Sequence, residues 1–162
     1  MKVLFAITLT LFFCLKGLSQ SEPGRARSVS FEVSTLEELA AFYTFNYDSR
    51  FSARQDGFGY HAGIGWASGS ESAIFTIPFG INYLVGKGPN YFEGGLGVTY
   101  LKVPSIFIDS SGKRSLIAFV PGIAYRYQST KKQGVCFRIA AAPWLLQGSF
   151  YYNLGVSIGY KF

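Results

Sequence analysis

Charged residues make up only 15% of the 162-residue chain, histidine occurs once, as His61, and cysteine twice, as Cys14 and Cys136. Each shortage excludes something. Zinc usually takes four ligands, so one histidine and one cysteine beyond the amino-terminal region are too few for a metal site, and no cofactor is expected. With Cys14 in a segment read below as removable, Cys136 stands alone and no internal disulfide can form. A bilayer-spanning helix needs about 20 consecutive apolar residues, and no such run follows residue 20. The formal charge of +6 falls to +4 without Lys2 and Lys16, and the remaining basic residues are dispersed, so no nucleic-acid partner is indicated. What the chain has in quantity is aromatic residues, at 18%, and 19 glycines within a 49% hydrophobic composition, which argues against disorder.

The amino terminus carries Lys2, an apolar run from Val3 to Leu15 and small residues at Gly17 and Ser19, the pattern of a secretory signal peptide. Cleavage is expected after Ser19 or Gln20, although Lys16 departs from the usual neutral region. Cys14 ends the apolar run as a lipidated cysteine would, but Phe12 and Phe13 are bulky where small residues are required, which disfavours a lipoprotein. The division expected is residues 1–19 as signal peptide, 20–27 as a short lead and 28–162 as one domain.

The rest of the chain alternates with period two, the signature of strands with unlike faces. In the last segment Phe150, Tyr152, Leu154, Val156, Ile158, Tyr160 and Phe162 share one face, against Tyr151, Asn153, Gly155, Ser157, Gly159 and Lys161 on the other. Residues 57–67 set Phe58, Tyr60, Ala62, Ile64 and Trp66 against His61, Ala67 and four glycines. Segments 28–34, 39–49, 73–84, 91–101, 115–127 and 135–145 repeat the pattern, which makes eight strands. The small and polar faces lack the bulk and charge of a soluble surface. A soluble lipid-binding barrel would have to turn those faces outward, exposing glycine and alanine with few charges. The sequence therefore predicts an all-β fold, an eight-stranded antiparallel up-and-down transmembrane β-barrel with its apolar faces toward lipid.

The connections fit such a barrel. If the first strand starts in the periplasm, the periplasmic links are 50–56, 85–90 and 128–134, and the longest link, 102–114, falls on the outer side. Tyr47, Tyr60, Tyr83, Phe92, Tyr125 and Tyr127, with Phe58, Tyr160 and Phe162, lie outward near the periplasmic ends and predict one interfacial aromatic belt. One segment allows an alternative. Thr35-Leu36-Glu37-Glu38 matches a helix capping box before Leu39-Ala40-Ala41, so a short helix over 35–41 competes with strand.

Eight strands enclose only enough room for side chains, so inward charges need partners. Glu93 and Arg126 sit near the periplasmic ends of neighbouring strands and are expected to form an ion pair, with Glu32 and Arg138 as further lumen candidates. A plug of ion pairs is the simplest reading of these four, and a narrow ion path is the alternative. His61 is the one candidate base for a lipid-modifying activity, with a plausible contact to Asp48. No serine or cysteine is clearly placed as its nucleophile, so no catalytic residue is assigned. The glycine pairs lie within alternating strands, not at a strand-to-helix turn, and so make room and curvature rather than a nucleotide site. Lys102, Lys113 and Arg114 flank the longest outer link and could meet lipopolysaccharide phosphates.

Asn46-Tyr47-Asp48, Ile77-Pro78 leading to Asn82-Tyr83-Leu84 and Gly86-Lys87, Glu93-Gly94-Gly95-Leu96-Gly97, Tyr125-Arg126-Tyr127-Gln128, Phe137-Arg138, Pro143 and the closing Gly159-Tyr160-Lys161-Phe162 resemble the small outer-membrane β-barrel proteins of Gram-negative bacteria. The resemblance covers nearly all of residues 28–162. It implies an eight-stranded outer-membrane barrel with no established activity in most members. It also implies a carboxyl-terminal signal for the barrel-insertion machinery, carried by Phe162 with Tyr160 as companion. The expected function is that of a non-enzymatic integral outer-membrane protein acting structurally or through its loops, as a monomer in contact with outer-membrane lipid and lipopolysaccharide. A lipid A modifying enzyme using His61 and a narrow channel are the alternatives.

Overall fold

The computed structural model describes residues 25–37, 40–68, 74–102 and 115–162. Residues 1–19, most of the short lead, and Lys113 and Arg114 lie outside the described residues. The strands are β1 (Arg27–Leu36), β2 (Ala40–Arg50), β3 (Gly57–Ser68), β4 (Ile74–Lys87), β5 (Asn90–Lys102), β6 (Ser115–Gln128), β7 (Gly134–Ala141), β8 (Trp144–Leu146), β9 (Ser149–Tyr151) and β10 (Asn153–Lys161). Each pairs antiparallel with its neighbour, and β1 pairs with β10 from Ser28↔Lys161 to Leu36↔Asn153, so the sheet closes on itself. β7 with β8, and β9 with β10, are the two parts of single wall strands. The wall therefore has eight strands, and closure leaves no unpaired edge in the lipid.

The last two wall strands, expected unbroken, are interrupted at Ala142-Pro143 and at Tyr152. The register that pairs Ile123 with Ala141 and Phe119 with Leu145 sets Pro121 opposite Pro143, and neither proline has an N–H to give the ladder. Tyr152 turns instead to the end of β1. The Glu37 N–H donates to its carbonyl at 2.9 Å, and its own N–H donates to Glu37 Oε1 at 3.3 Å. The helix competing for 35–41 does not form among the described residues, because Thr35 and Leu36 finish β1 while Ala40 and Ala41 begin β2. A helix there would forfeit ladder bonds to both neighbours. The turns are also tighter than expected, since Gly88-Pro89 alone joins β4 to β5 and Gln147-Gly148 joins β8 to β9, with φ of 66° at Gly88, 51° at Gln147 and 85° at Gly148.

Side chains follow the alternation. Phe45, Ile64, Trp66, Phe75, Phe79, Leu96, Val98, Ile123, Val156 and Ile158 stand exposed on the outside, Phe79 at 52% and Ile158 at 62%, while Ser157, Thr76 and Thr99 are buried within. In water such a coat would be strongly unfavourable; in hydrocarbon it is solvated. Phe79 lies near the middle of β4. Phe79→Arg is expected to destabilise the lipid-inserted barrel by about 2–4 kcal/mol, the cost of a cation at the bilayer midplane. The shift of the urea midpoint, followed by heat-modifiable gel migration, checks this.

The lumen is layered. At the end where β1 turns into β2, Leu36, Phe42, Ala67, Leu101, Ala118 and Trp144 form a buried apolar plug, with the Phe42 and Trp144 rings 5.0 Å apart between centroids. Charged and amide side chains fill the half nearer the β4–β5 turn, and a cavity of about 120 Å³ lined by both polar and apolar residues lies between the two layers.

Candidate functional site

The lumen site is built from inward positions of successive strands. Asp48 and Arg50 lie two residues apart on β2 and so share a face; Asn82 comes from β4, Glu93 from β5, Arg126 from β6, Arg138 from β7 and Glu32 from β1. Arg50 Nη2 donates to both Asp48 carboxylate oxygens at 2.7 and 2.8 Å and to Asn82 Oδ1 at 2.6 Å, and its Nη1 donates to the Gly57 carbonyl at 3.2 Å. Gly59 opposes Arg50 across the β2–β3 ladder, and a Cβ there would fall on the guanidinium, so glycine is what admits the arginine.

Arg126 crosses the lumen. It approaches Glu93 Oε2 to 2.7 Å through Nη2, and it donates to Asp48 Oδ1 at 3.1 Å and Oδ2 at 3.2 Å from the far side. Asn82 Nδ2 donates to Asp48 at 2.9 Å and to Glu93 at 3.1 Å, joining the two acids. Arg138 completes the chain, with Nη1 2.9 Å from Glu32 Oε2 and Nη2 3.3 Å from Glu93 Oε1. Three acids face three arginines. Asp48, Arg50, Glu93 and Arg126 are buried, and each ion has hydrogen-bonded counter-charge, the condition under which buried charge is tolerated.

His61 faces the cavity, half-buried, and its Cα partners are Asp48 and Gly80. A Cβ at Gly80 would lie 2.6 Å from His61 Cε1 and 2.8 Å from the Leu96 carbonyl oxygen, so that glycine makes the room for the ring. The Asp48 oxygens accept from Arg50, Arg126 and Asn82, and among the described residues no side-chain hydrogen bond joins His61 to a carboxylate, serine or cysteine. The base–orienter–nucleophile geometry of an activated hydroxyl or thiol is missing there. Nor do three or more histidine, cysteine, aspartate or glutamate side chains gather into a metal-binding group among the described residues.

No family model and no curated relative matches the sequence. Among solved structures, the N-terminal β-barrel domain of Pseudomonas aeruginosa OprF superposes with a TM-score of 0.70 at 12% identity, covering 87% of this chain and 100% of that one. The chain has the fold of a small outer-membrane β-barrel. The outer membrane enzyme PagL gives 0.53 at 16% identity, over 83% of this chain and 97% of PagL. A de novo designed transmembrane β-barrel gives 0.52 at 13% identity, over 88% and 98%. Likeness at this level of identity establishes the fold alone.

Within that outer-membrane barrel fold the aromatic positions gather at the end of the short turns. Tyr47 and Tyr60 lie 6.2 Å apart between ring centroids, Phe58 and Tyr83 4.6 Å, and Phe92 and Tyr125 6.3 Å; Tyr127 stands exposed on the same side. The Tyr125 hydroxyl donates to Asn90 Oδ1 at 2.7 Å. Tyr160 is exposed on β10, and the Phe162 N–H donates to the Arg27 carbonyl at 2.9 Å, carrying the β1 pairing to the last residue.

Two members of the lumen site go beyond the sequence reading, which sets Arg50 in a link and Asp48 toward His61. Lys161, outside the network, is 2% exposed, and its Nζ donates to the Ser129 carbonyl at 2.6 Å. The signal was present in parity: Asp48 with Arg50, and Ser157 with Lys161, fall on the inward register of their strands.

Proposed function

We propose that the chain is a non-enzymatic integral outer-membrane protein, a sealed barrel that acts as a structural element or through its outer loops. Residues 1–19 serve as its export signal, and Phe162 with Tyr160 presents the sequence read by the insertion machinery. The observation that carries the reading is the double seal: an apolar plug around Phe42 and Trp144 at one end and a charge-balanced Asp48–Arg126–Glu93 network at the other. A column of water cannot pass side chains packed and bonded in this way, which weighs against a standing pore. His61 faces the small inner cavity, away from the lipid face where an acylated substrate would arrive.

Two measurements test the proposal together. In planar bilayers the purified barrel is expected to give no stable conductance steps. In cells, His61→Ala is expected to leave the lipid A profile identical to that of the wild type and of a deletion strain. Reproducible single-channel steps would establish the channel reading, and a lipid A change abolished by His61→Ala would establish the enzyme.

A further inference from the structure

Cations stand in or next to every described link at the end where β4 turns into β5. Arg25 and Arg27 lead into β1, Arg54 lies between β2 and β3, Lys87 closes β4, and Lys131 and Lys132 lie between β6 and β7. All but the half-buried Arg27 are exposed. Among the described residues one acidic side chain stands with them, Asp56, and Arg54 holds it at 2.9 Å. The other five cations have no carboxylate within salt-bridge distance among the described residues, because Asp48, Glu93 and Glu32 are engaged by arginines inside the lumen. Among the described residues the result is a set of cations without a salt-bridged acidic side chain at four positions around the barrel mouth.

Position along the strands identifies what these cations meet. Lys87 continues the lipid-facing register of Tyr83 and Val85, and Arg27 continues that of Val29. They are therefore on the membrane side of the wall, not over the lumen. Lys87 follows Tyr83 by four residues of β4, which is about 13 Å of strand and less after the tilt of a barrel wall. Tyrosine rings sit at the level of the headgroups, so cations one short step further out lie at the depth of the phosphates. Arg54, Lys131 and Lys132 lie in the links next to this level, while Lys87 and Arg27, on the wall itself, are placed for lipid and not for a partner in the aqueous phase.

We infer that this rim binds anionic phospholipid headgroups in the leaflet at the turn end of the barrel. The inference rests on the membrane placement proposed above and is independent of whether the chain has an enzymatic activity. The cationic side chains collect phosphodiester charge around the mouth while the tyrosine belt fixes the depth, so the barrel selects its own annulus of lipid. Coulomb attraction of this kind is screened over about 10 Å at 0.1 M salt and is lost at high salt.

The test reconstitutes the full barrel in nanodiscs of phosphatidylcholine with and without phosphatidylglycerol and counts, by native mass spectrometry, the lipids that stay bound. The wild type is expected to retain phosphatidylglycerol over its bulk proportion by about fivefold or more, the factor a single basic residue near an anionic surface supplies. The five-residue variant Arg25→Gln, Arg27→Gln, Lys87→Gln, Lys131→Gln and Lys132→Gln should lose most of that enrichment, as should the wild type at high salt. Bound lipid at bulk proportion in the wild type, or enrichment unchanged in the five-residue variant, overturns the inference. Heat-modifiable migration of each protein in phosphatidylcholine alone is read first: a wild type that does not insert there sinks the membrane placement and this inference with it, whereas insertion without selectivity sinks the inference only.

Discussion

Asp48→Asn is expected to lower the unfolding free energy of the membrane-inserted barrel by about 3–5 kcal/mol, the cost of removing one partner from a buried ion pair. Asp48 is where the lumen converges, since its carboxylate takes two bonds from Arg50, two from Arg126 and one from Asn82. Asparagine keeps the volume and loses the charge, so Arg50, 1% exposed, and Arg126, 6% exposed, face each other with only the Glu93 side of the network compensated. Equilibrium urea unfolding in lipid vesicles reads the effect. Adding Arg50→Met to Asp48→Asn removes the cation left without a carboxylate, restores two acids against two arginines and should recover much of the loss, and the double-mutant cycle between the two should show coupling well outside additivity. Equal stability of Asp48→Asn and wild type would mean that water, not arginine, solvates that carboxylate.

Trp144→Ala is expected to cost about 3–5 kcal/mol, the range for emptying a large buried aromatic site. Trp144 is 6% exposed, packs its ring on Phe42 and lines the lumen cavity. Its loss leaves a void that joins the cavity, and the short β8–β9 hairpin above it, held to β6 by the single register pair Phe119↔Leu145, has little else to stay closed on. Trp66→Ala provides the contrast. Trp66 is 42% exposed and stacks on Tyr43 at the outer surface, where lipid chains can fill the space left behind. Its cost should be clearly smaller in the same urea titration. If the two tryptophans cost the same, the apolar layer around Trp144 is not a packed plug.

The fold was open to reading because a barrel in lipid imposes one strong rule on every strand, apolar out and small or polar in, and this chain keeps the rule through Phe58 to Trp66 and again through Phe150 to Phe162 without a misplaced charge. The interruptions were not open to the same reading. Pro143 and Tyr152 keep the parity of their strands and lose only hydrogen bonds, and that Pro121 opposes Pro143 is a matter of register between strands, which alternation within one strand does not specify. The lumen divides in the same way. Glu93 and Arg126 lie on paired strands near one end, a relation that follows from a single ladder. Arg126 meets Asp48 across the barrel from β6 to β2, and Arg138 meets Glu93 and Glu32 on opposite sides of itself, relations that exist only once the sheet has closed with its particular stagger.

The sequence holds two tryptophans, and the structure points Trp66 outward and Trp144 inward. Fluorescence quenching by lipids brominated along the acyl chain, measured on Trp66→Phe and Trp144→Phe in vesicles, therefore tests the direction of the whole coat. Strong quenching of the protein that keeps Trp66, with weak quenching of the one that keeps Trp144, is the predicted result. Strong quenching of Trp144 with Trp66 shielded would mean that the apolar faces turn inward, and it would contradict the account.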